Sequence, residues 1–241
     1  MERWIDMHCH ILPEVDDGAQ SIEQTINMLI IAHEEGILHI IATPHYRAGY
    51  PNPDYHELEQ KLETVRQEAL KIDRSFRIDL GNELYYSQDI LEHLNSKKAL
   101  TMAGTRYVLV EFPVDVSYMN LRAGLHNLLI NGYLPILAHM ERYQCLYHNY
   151  NGIQELQELG IYLQMNISSV IGNITNRRAS FCRKLIEKGY IHFISTDSHS
   201  DQYRAPRIKQ GADVIRKKYG EDSLSQLLSE NATKMLNNQY I

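Results

Sequence analysis

Two hydrophobic rhythms alternate along this chain. Short apolar runs, Trp4 to His10, Leu38 to Ala42, Phe76 to Leu80, Tyr107 to Val110, Leu134 to Ala138, Ile161 to Met165 and Ile191 to Thr196, predict seven buried strands. Between them the period becomes helical. Ser21 with Gln24 three residues on is a capping-box signal; Ile22, Ile26, Leu29, Ile30 and His33 then share one face, and Gly36 ends the segment. Pro53 suits a helix start, and Leu58, Leu62, Val65, Ala69 and Ile72 predict an amphipathic helix over 54–73. Further helices are expected at 87–96, 117–131, 151–159 and 176–188, with two in the tail at about 206–219 and 223–237. Strands alternating with helices imply parallel strands with helices packed outside. Seven such units in 241 residues predict an α/β fold, a closed or nearly closed β/α barrel related to the eight-fold, TIM-like one. No repeat, low-complexity tract or Pro/Gly/Ser-rich linker interrupts the pattern, so 1–241 is expected to be one domain.

The polar exceptions fall where such barrels do chemistry, at the C-terminal ends of the strands. His8 and His10 close the first run, and side chains at i and i+2 of a strand leave the same face. The acidic turn Asp16-Asp17-Gly18 follows. His45, Glu83, Glu111 and His139 follow the second, third, fourth and fifth runs, and Asp197 and His199 follow the seventh. One such residue is ordinarily packing or surface. Ligand-type residues at the same end of six runs imply one convergent metal site. With Asp17 there are nine N/O ligands: five His, two Glu and two Asp. A zinc or manganese site takes about three or four protein ligands, so nine suit two or three ions sharing a carboxylate. Imidazole and carboxylate without thiolate suit Mn, Fe or Zn. Cys9 faces the other way on a strand and reads as a small buried residue. Spacing alone leaves the choice between Asp16 and Asp17 open, since Asp16 can instead turn the loop before Gly18.

Composition then removes rival classes. A 44% hydrophobic chain can bury a sizeable core. Its net charge of −6 and the lack of a long Lys/Arg cluster argue against a nucleic-acid partner. No apolar run reaches the roughly 18 residues of a membrane span. The N-terminal stretch Met-Glu-Arg-Trp-Ile-Asp is expected to carry no signal peptide. Cys9, Cys145 and Cys182 are odd in number and scattered, which points to a reducing compartment, the cytoplasm. Thiol phosphatases need Cys-x5-Arg, but the sixth residue after these cysteines is Val15, Asn151 and Lys188 respectively. No Gly-x-Ser-x-Gly elbow or phosphate-binding Gly-x4-Gly-Lys-Ser/Thr loop exists, which disfavours an acyl hydrolase or a P-loop NTPase.

The ordered set His8-x-His10, Asp17-Gly18, His45, Glu83, Glu111, His139, Asp197-x-His199 resembles the polymerase-and-histidinol-phosphatase (PHP) superfamily. More narrowly, Asp-Met-His-Cys-His-Ile-Leu-Pro-x-Val-Asp-Asp-Gly (6–18), Ala-Thr-Pro-His-Tyr (42–46), Gly-Asn-Glu-Leu-Tyr (81–85) and Ala-His-Met-Glu-Arg-Tyr (138–143) resemble its bacterial protein-tyrosine phosphatase branch, the metal-dependent phosphatases of capsular and exopolysaccharide loci. The resemblance covers nearly the whole chain. It implies a distorted seven-stranded PHP barrel with a trinuclear site, usually described with manganese. It further implies that His8, His10, Glu111 and Asp197 hold one ion, that Glu83, Glu111 and His139 hold a second with Glu111 shared, and that Asp17, His45 and His199 hold the third. The implied substrate is phosphotyrosine on a membrane-associated bacterial tyrosine kinase.

Charge explains such chemistry. Clustered divalent ions bind phosphoryl oxygens, acidify a bridging water and stabilise the leaving oxygen. A tyrosyl phenolate, reference pKa about 10, leaves more easily than a serine alkoxide. Arginines grip the remaining oxygens bidentately, and Arg142 and Arg204 are expected to do so, since similar enzymes carry arginines in both places. Tyr46 and Arg47, just after His45, are placed to touch the substrate or to shape the loop, and the second role is the one expected. Amidohydrolases share the barrel and the His-x-His but typically use a modified lysine where this chain has Glu111. The alternatives are a small-molecule phosphatase of the same superfamily, such as one for histidinol phosphate, and a non-catalytic metal-stabilised module that binds a kinase tail.

Overall fold

A computed structural model describes residues 3–173 and 175–241. Met1 and Glu2, part of the stretch read for a leader, lie outside the described residues. In chain order the elements are β1 (Trp4–Cys9), α1 (Ile22–Glu34), β2 (Ile37–Ala42), β3 (His45–Arg47), α2 (Tyr55–Ile72), β4 (Arg77–Leu80), β5 (Glu83–Tyr85), α3 (Ile90–Asn95), β6 (Tyr107–Glu111), α4 (Tyr118–Ile130), β7 (Leu134–Leu137), α5 (Tyr150–Glu158), β8 (Tyr162–Asn166), α6 (Arg177–Glu187), β9 (Phe193–Ser195), α7 (Lys209–Ser225) and α8 (Asn231–Leu236).

Every strand pair is parallel, as alternation with helices requires. One sheet has the order β1-β2-β4 and the other β3-β5-β6-β7-β8-β9. Each of the seven expected runs holds a strand, and two short strands that were not expected, β3 and β5, follow the second and third runs, which gives nine strands among the described residues. Pro44, which has no N–H to donate to a ladder, separates β2 from β3. Gly81 and Asn82 separate β4 from β5. Hydrogen bonds tie the two connections together: Gly81 N donates to Ala42 O at 2.8 Å and Glu83 N to Pro44 O at 3.1 Å. The first and last runs also meet. His10 N donates to Ser198 O and Asp197 N to His8 O, each at 2.9 Å, and Cys9 and Ser198 form an isolated parallel bridge.

The helices start where their caps predict. The Ser21 hydroxyl accepts Gln24 N at 3.2 Å, and Asp54 rather than Pro53 caps α2 by accepting Glu57 N at 2.9 Å. The buried face of α2 is Leu58, Leu62, Val65 and Ala69, as expected. That of α1 is turned from the expected stripe to Thr25, Met28, Leu29 and Ala32, leaving Ile30 40% exposed. The Thr25 hydroxyl donates to Ile11 O at 2.8 Å, which draws that side of the helix inward. The expected helix at 87–96 shortens to α3. The two tail helices form one helical run instead, with Gly220 at φ +88° as the break inside α7 and a π-helical turn, Gln226–Glu230, leading into α8. Among the described residues no helix is long and apolar enough to cross a membrane.

Candidate metal centre

β1 does not alternate evenly. A register shift against β2 between Asp6 and Cys9 marks a bulge, which re-aims the strand end. Met7 packs with Ile41, Leu109 and Ile136 in a buried apolar cluster. His8 and His10 then face each other, Nε2 to Nε2 at 3.3 Å. The register of the next strands decides which carboxylate meets them. β3 pairs with β5 so that His45 lies directly beside Glu83, and β5 pairs with β6 so that Glu111 lies beside Tyr85. Glu111 thus stands one layer further toward the strand ends than Glu83.

Glu83 is therefore the hub. Its Oε2 is 3.1 Å from His8 Nε2, 3.2 Å from His10 Nε2 and 3.1 Å from His45 Nδ1, and its Oε1 is 2.8 Å from His139 Nε2. Among the described residues the Glu111 carboxylate approaches His45 Nδ1 at 3.3 Å and His139 Nε2 at 3.7 Å. The resemblance implies Glu111 beside His8 and His10; the register puts Glu83 there. Ligand atoms within 4.8 Å of one another group His8, His10, Glu83 and Asp197; His45, Glu83 and Glu111; and His10, Asp17, His45 and His199. His139 stands outside these three groups but against the Glu83 carboxylate. All nine candidate residues are thus in one place. His139 and Asp197 leave their strands with φ of +31° and +53°, a left-handed conformation that costs of order 1–2 kcal/mol each for a residue with a Cβ. Such strain persists where the surrounding structure over-determines the position.

The Asp16/Asp17 question has a geometric answer. Asp16 accepts Gly18 N and His45 N, each at 2.9 Å, and holds His10 Nδ1 at 2.7 Å. It turns the loop and fixes the imidazole. Asp17 Oδ1 instead faces His45 Nε2 at 3.3 Å and His199 Nε2 at 3.4 Å.

The electrostatics are those of crowded anions with imidazoles as their counter-charge. Burial pushes the Glu83 carboxyl up, but the imidazoles of His8, His10 and His139 outweigh it and hold it well below the usual range. Burial likewise pushes Asp197 up, and His8 and Arg142 bring it down to about 2. His199 and His45 hold Asp17 far below its ordinary value. Burial pulls His10 down, yet Asp16 and Glu83 raise it to about 9; His45 is raised in the same way by Asp17 and Glu111 to about 11. Burial keeps His199 below its ordinary value. The buried atoms Glu83 Oε2, His45 Nδ1 and His139 Nδ1 have no hydrogen-bond partner. A buried carboxylate oxygen ringed by three imidazole nitrogens and bonded to none is costly as it stands. Divalent cations would complete it, and the N/O donor set fits Mn, Fe or Zn.

Both expected arginines reach the site and take the same carboxylate. Arg142, on the turn Met140–Arg142 after β7, places Nη2 2.6 Å from Asp197 Oδ2, and Arg204 places Nη2 2.9 Å from Oδ1. Arg204 also donates to Asp197 O at 3.1 Å. Sequence reading missed the residues behind the ligands. Gln164 Oε1 accepts His139 N at 2.6 Å and lies 3.4 Å from His8 Nδ1. Asn166 Nδ2 donates to Asp197 Oδ2 at 2.7 Å, and its Oδ1 accepts Gln164 Nε2 at 3.0 Å. Their signal is Gln164-x-Asn166, two amides at i and i+2 of a buried strand, the same period that marks His8-x-His10. Such partners orient ligands and set their tautomers. Cys9 is fully buried, with Sγ 3.1 Å from Ser198 Oγ, and all three cysteines are free.

The chain is similar to known proteins along nearly its whole length. The capsular polysaccharide synthesis family CpsB/CapC matches residues 4–237. Tyrosine-protein phosphatase CpsB of Streptococcus pneumoniae is 33% identical over 242 residues, covering 98% of this chain and 100% of that protein. Tyrosine-protein phosphatase YwqE of Bacillus subtilis is 31% identical over 237 residues, covering 98% of this chain and 93% of that protein. A crystal structure from work on YwqE and CpsB, described there as unique metal-dependent tyrosine phosphatases, superposes with a TM-score of 0.90 at 30% identity, covering 98% of this chain and 96% of that one.

Proposed function

Because this chain belongs to the capsular polysaccharide synthesis family CpsB/CapC, we propose the following reading of its metal centre. The protein is a metal-dependent protein-tyrosine phosphatase that hydrolyses phosphotyrosine on proteins. The observation that carries the metal is the buried Glu83 oxygen ringed by His8, His10 and His45 without a hydrogen bond. The family sits in the PHP superfamily. Residues 1–241 form one domain whose two sheets make a distorted barrel of seven strand units, two of them extended by the short strands β3 and β5, a reading supported by the hydrogen bonds between the first and last runs.

Three manganese ions are the cofactor. His8, His10, Glu83 and Asp197 would hold the first, Glu83, Glu111 and His139 the second, and Asp17, His45 and His199 the third. Bound divalent cations supply positive charge to the phosphoryl oxygens and acidify water, which the doubly negative monoester needs. The chain's own residues do the rest. Arg142 and Arg204, now spent on Asp197, offer planar forks to the non-bridging phosphoryl oxygens. Asp16 and Gln164 keep the His10 and His8 Nε2 atoms turned inward. The phosphoprotein is a membrane-associated bacterial tyrosine kinase that regulates capsular or exopolysaccharide synthesis. The enzyme acts on it from the cytoplasm, a reading in keeping with three free cysteines and with the lack of a membrane-crossing helix among the described residues. His199→Ala tests the reading: metal content and phosphotyrosine hydrolysis fall together while the protein keeps its circular dichroism. A fully active His199→Ala protein rules the site out as described.

A further inference from the structure

Arg47 is not absorbed by the metal centre, yet it is built into its rim. On β3 it lies two residues from His45, so both side chains leave the same face. In register, Tyr85 lies beside Arg47 and Glu111 beside Tyr85. Arg47 therefore belongs to the layer just outside the Glu83 hub. Its guanidinium is held between two aromatic faces, 4.1 Å from the Tyr50 ring centre and 4.6 Å from that of Tyr85. The loop that folds Tyr50 back is tied down by one side chain. Asn52 Oδ1 accepts Arg47 N at 3.0 Å, and Asn52 Nδ2 donates to Arg47 O at 2.9 Å and to Tyr50 O at 2.7 Å. Gly49, at φ +80°, makes the turn possible.

This clamp fixes the guanidinium plane while leaving its N–H edges free. Arg47 is exposed and forms no ion pair with a carboxylate among the described residues. Beyond Tyr50 lies a cavity of about 380 Å³ lined by Tyr46, Tyr50, Tyr55, His93, Lys97 and Lys98. Neither lysine pairs with a carboxylate among the described residues, and the acid on the cavity wall, Asp54, is engaged as the cap of α2. Arg47, Lys97 and Lys98 thus put positive charge on both sides of Tyr50, which favours anions there.

The geometry points to Arg47 as a specificity residue: with Lys97 and Lys98 it receives the carboxylate side chains that flank phosphotyrosine in the substrate. The inference rests on the phosphatase reading and adds acidic sequence around the phosphotyrosine as the substrate class. A stacked, loop-pinned guanidinium loses little freedom on binding, so its fork is pre-organised for a carboxylate.

The test compares kcat/KM of the manganese-loaded enzyme on two phosphotyrosyl peptides that differ only in glutamates or glutamines beside the phosphotyrosine. Wild type prefers the glutamate peptide roughly threefold to tenfold, the range of a solvent-screened charged contact. The preference lies in KM and shrinks as salt is added. Arg47→Ala and a Lys97→Gln/Lys98→Gln double variant erase it, and Arg47→Lys restores part of it. A wild type without preference, or an Arg47→Ala variant that slows on both peptides and keeps the preference, overturns the inference. Failure of metal-dependent turnover on both peptides strikes the phosphatase reading instead; fluorescence anisotropy with the same two peptides then decides the inference separately.

Discussion

Glu83→Gln keeps the side chain's shape and removes one charge from the hub. In the native arrangement that carboxylate faces four imidazole nitrogens within 3.2 Å and belongs to two of the three ligand groups. Glu83 is wholly buried, so water cannot stand in for the lost anion. Removing one partner of a buried charged set costs about 3–5 kcal/mol. At about 1.4 kcal/mol per decade, manganese affinity falls roughly 10²- to 10⁴-fold, and hydrolysis falls with it. Glu111→Gln is the internal control. Its contacts are longer, 3.3 and 3.7 Å, and its side chain is 18% exposed, so a smaller loss, roughly tenfold to a hundredfold, is expected. Isothermal titration of metal-stripped protein with Mn²⁺, beside circular dichroism for fold, measures both variants. Wild-type affinity in Glu83→Gln, or a larger loss in Glu111→Gln, would falsify the argument from strand register.

Asp16→Ala removes the support of the His10 ring and of the 16–18 turn, and metal affinity is expected to drop roughly tenfold to a hundredfold with the fold intact; an unchanged titration contradicts that role. Arg142→Lys and Arg204→Lys keep a charge and lose the planar fork, so kcat/KM for phosphotyrosine falls roughly tenfold or more while manganese content holds; loss of metal in either variant places the arginines in the wrong role. His192 lies away from the centre, and its Nδ1 accepts Leu163 N at 3.0 Å. Burial pulls it down to about 4, whereas the unfolded chain takes that proton near 6.5. Its contribution is complete above pH 6.5 and is lost as pH falls toward 4, by on the order of 3 kcal/mol in all. Denaturant unfolding at pH 7 and pH 5 reads that slope; His192→Gln flattens it, and equal slopes in the two proteins refute the assignment.

The alternating rhythm was enough to place the ligands at one end of a parallel α/β array, because apolar runs and the residues that end them are local features. Their arrangement was not local. That Glu83 rather than Glu111 meets His8 and His10 depends on the breaks at Pro44 and Gly81-Asn82 and on the register of β3 with β5, neither of which periodicity encodes. The distinction between Asp16 and Asp17 needed the partners His10 and His45 from other parts of the chain. Gln164 and Asn166 were visible as an i, i+2 pair, but amides in a strand do not announce metal chemistry as two imidazoles do. The α1 stripe misled for a simpler reason. Thr25 and Ala32, small residues that score weakly as apolar, take the inward face, and the larger Ile30 faces solvent.

The central claim is tested most directly by phosphate release from a phosphotyrosyl peptide, measured with added Mn²⁺, with a chelator, and beside histidinol phosphate. The account predicts turnover that requires the metal and favours the peptide. Turnover of histidinol phosphate alone, or peptide hydrolysis undiminished by the chelator, contradicts it.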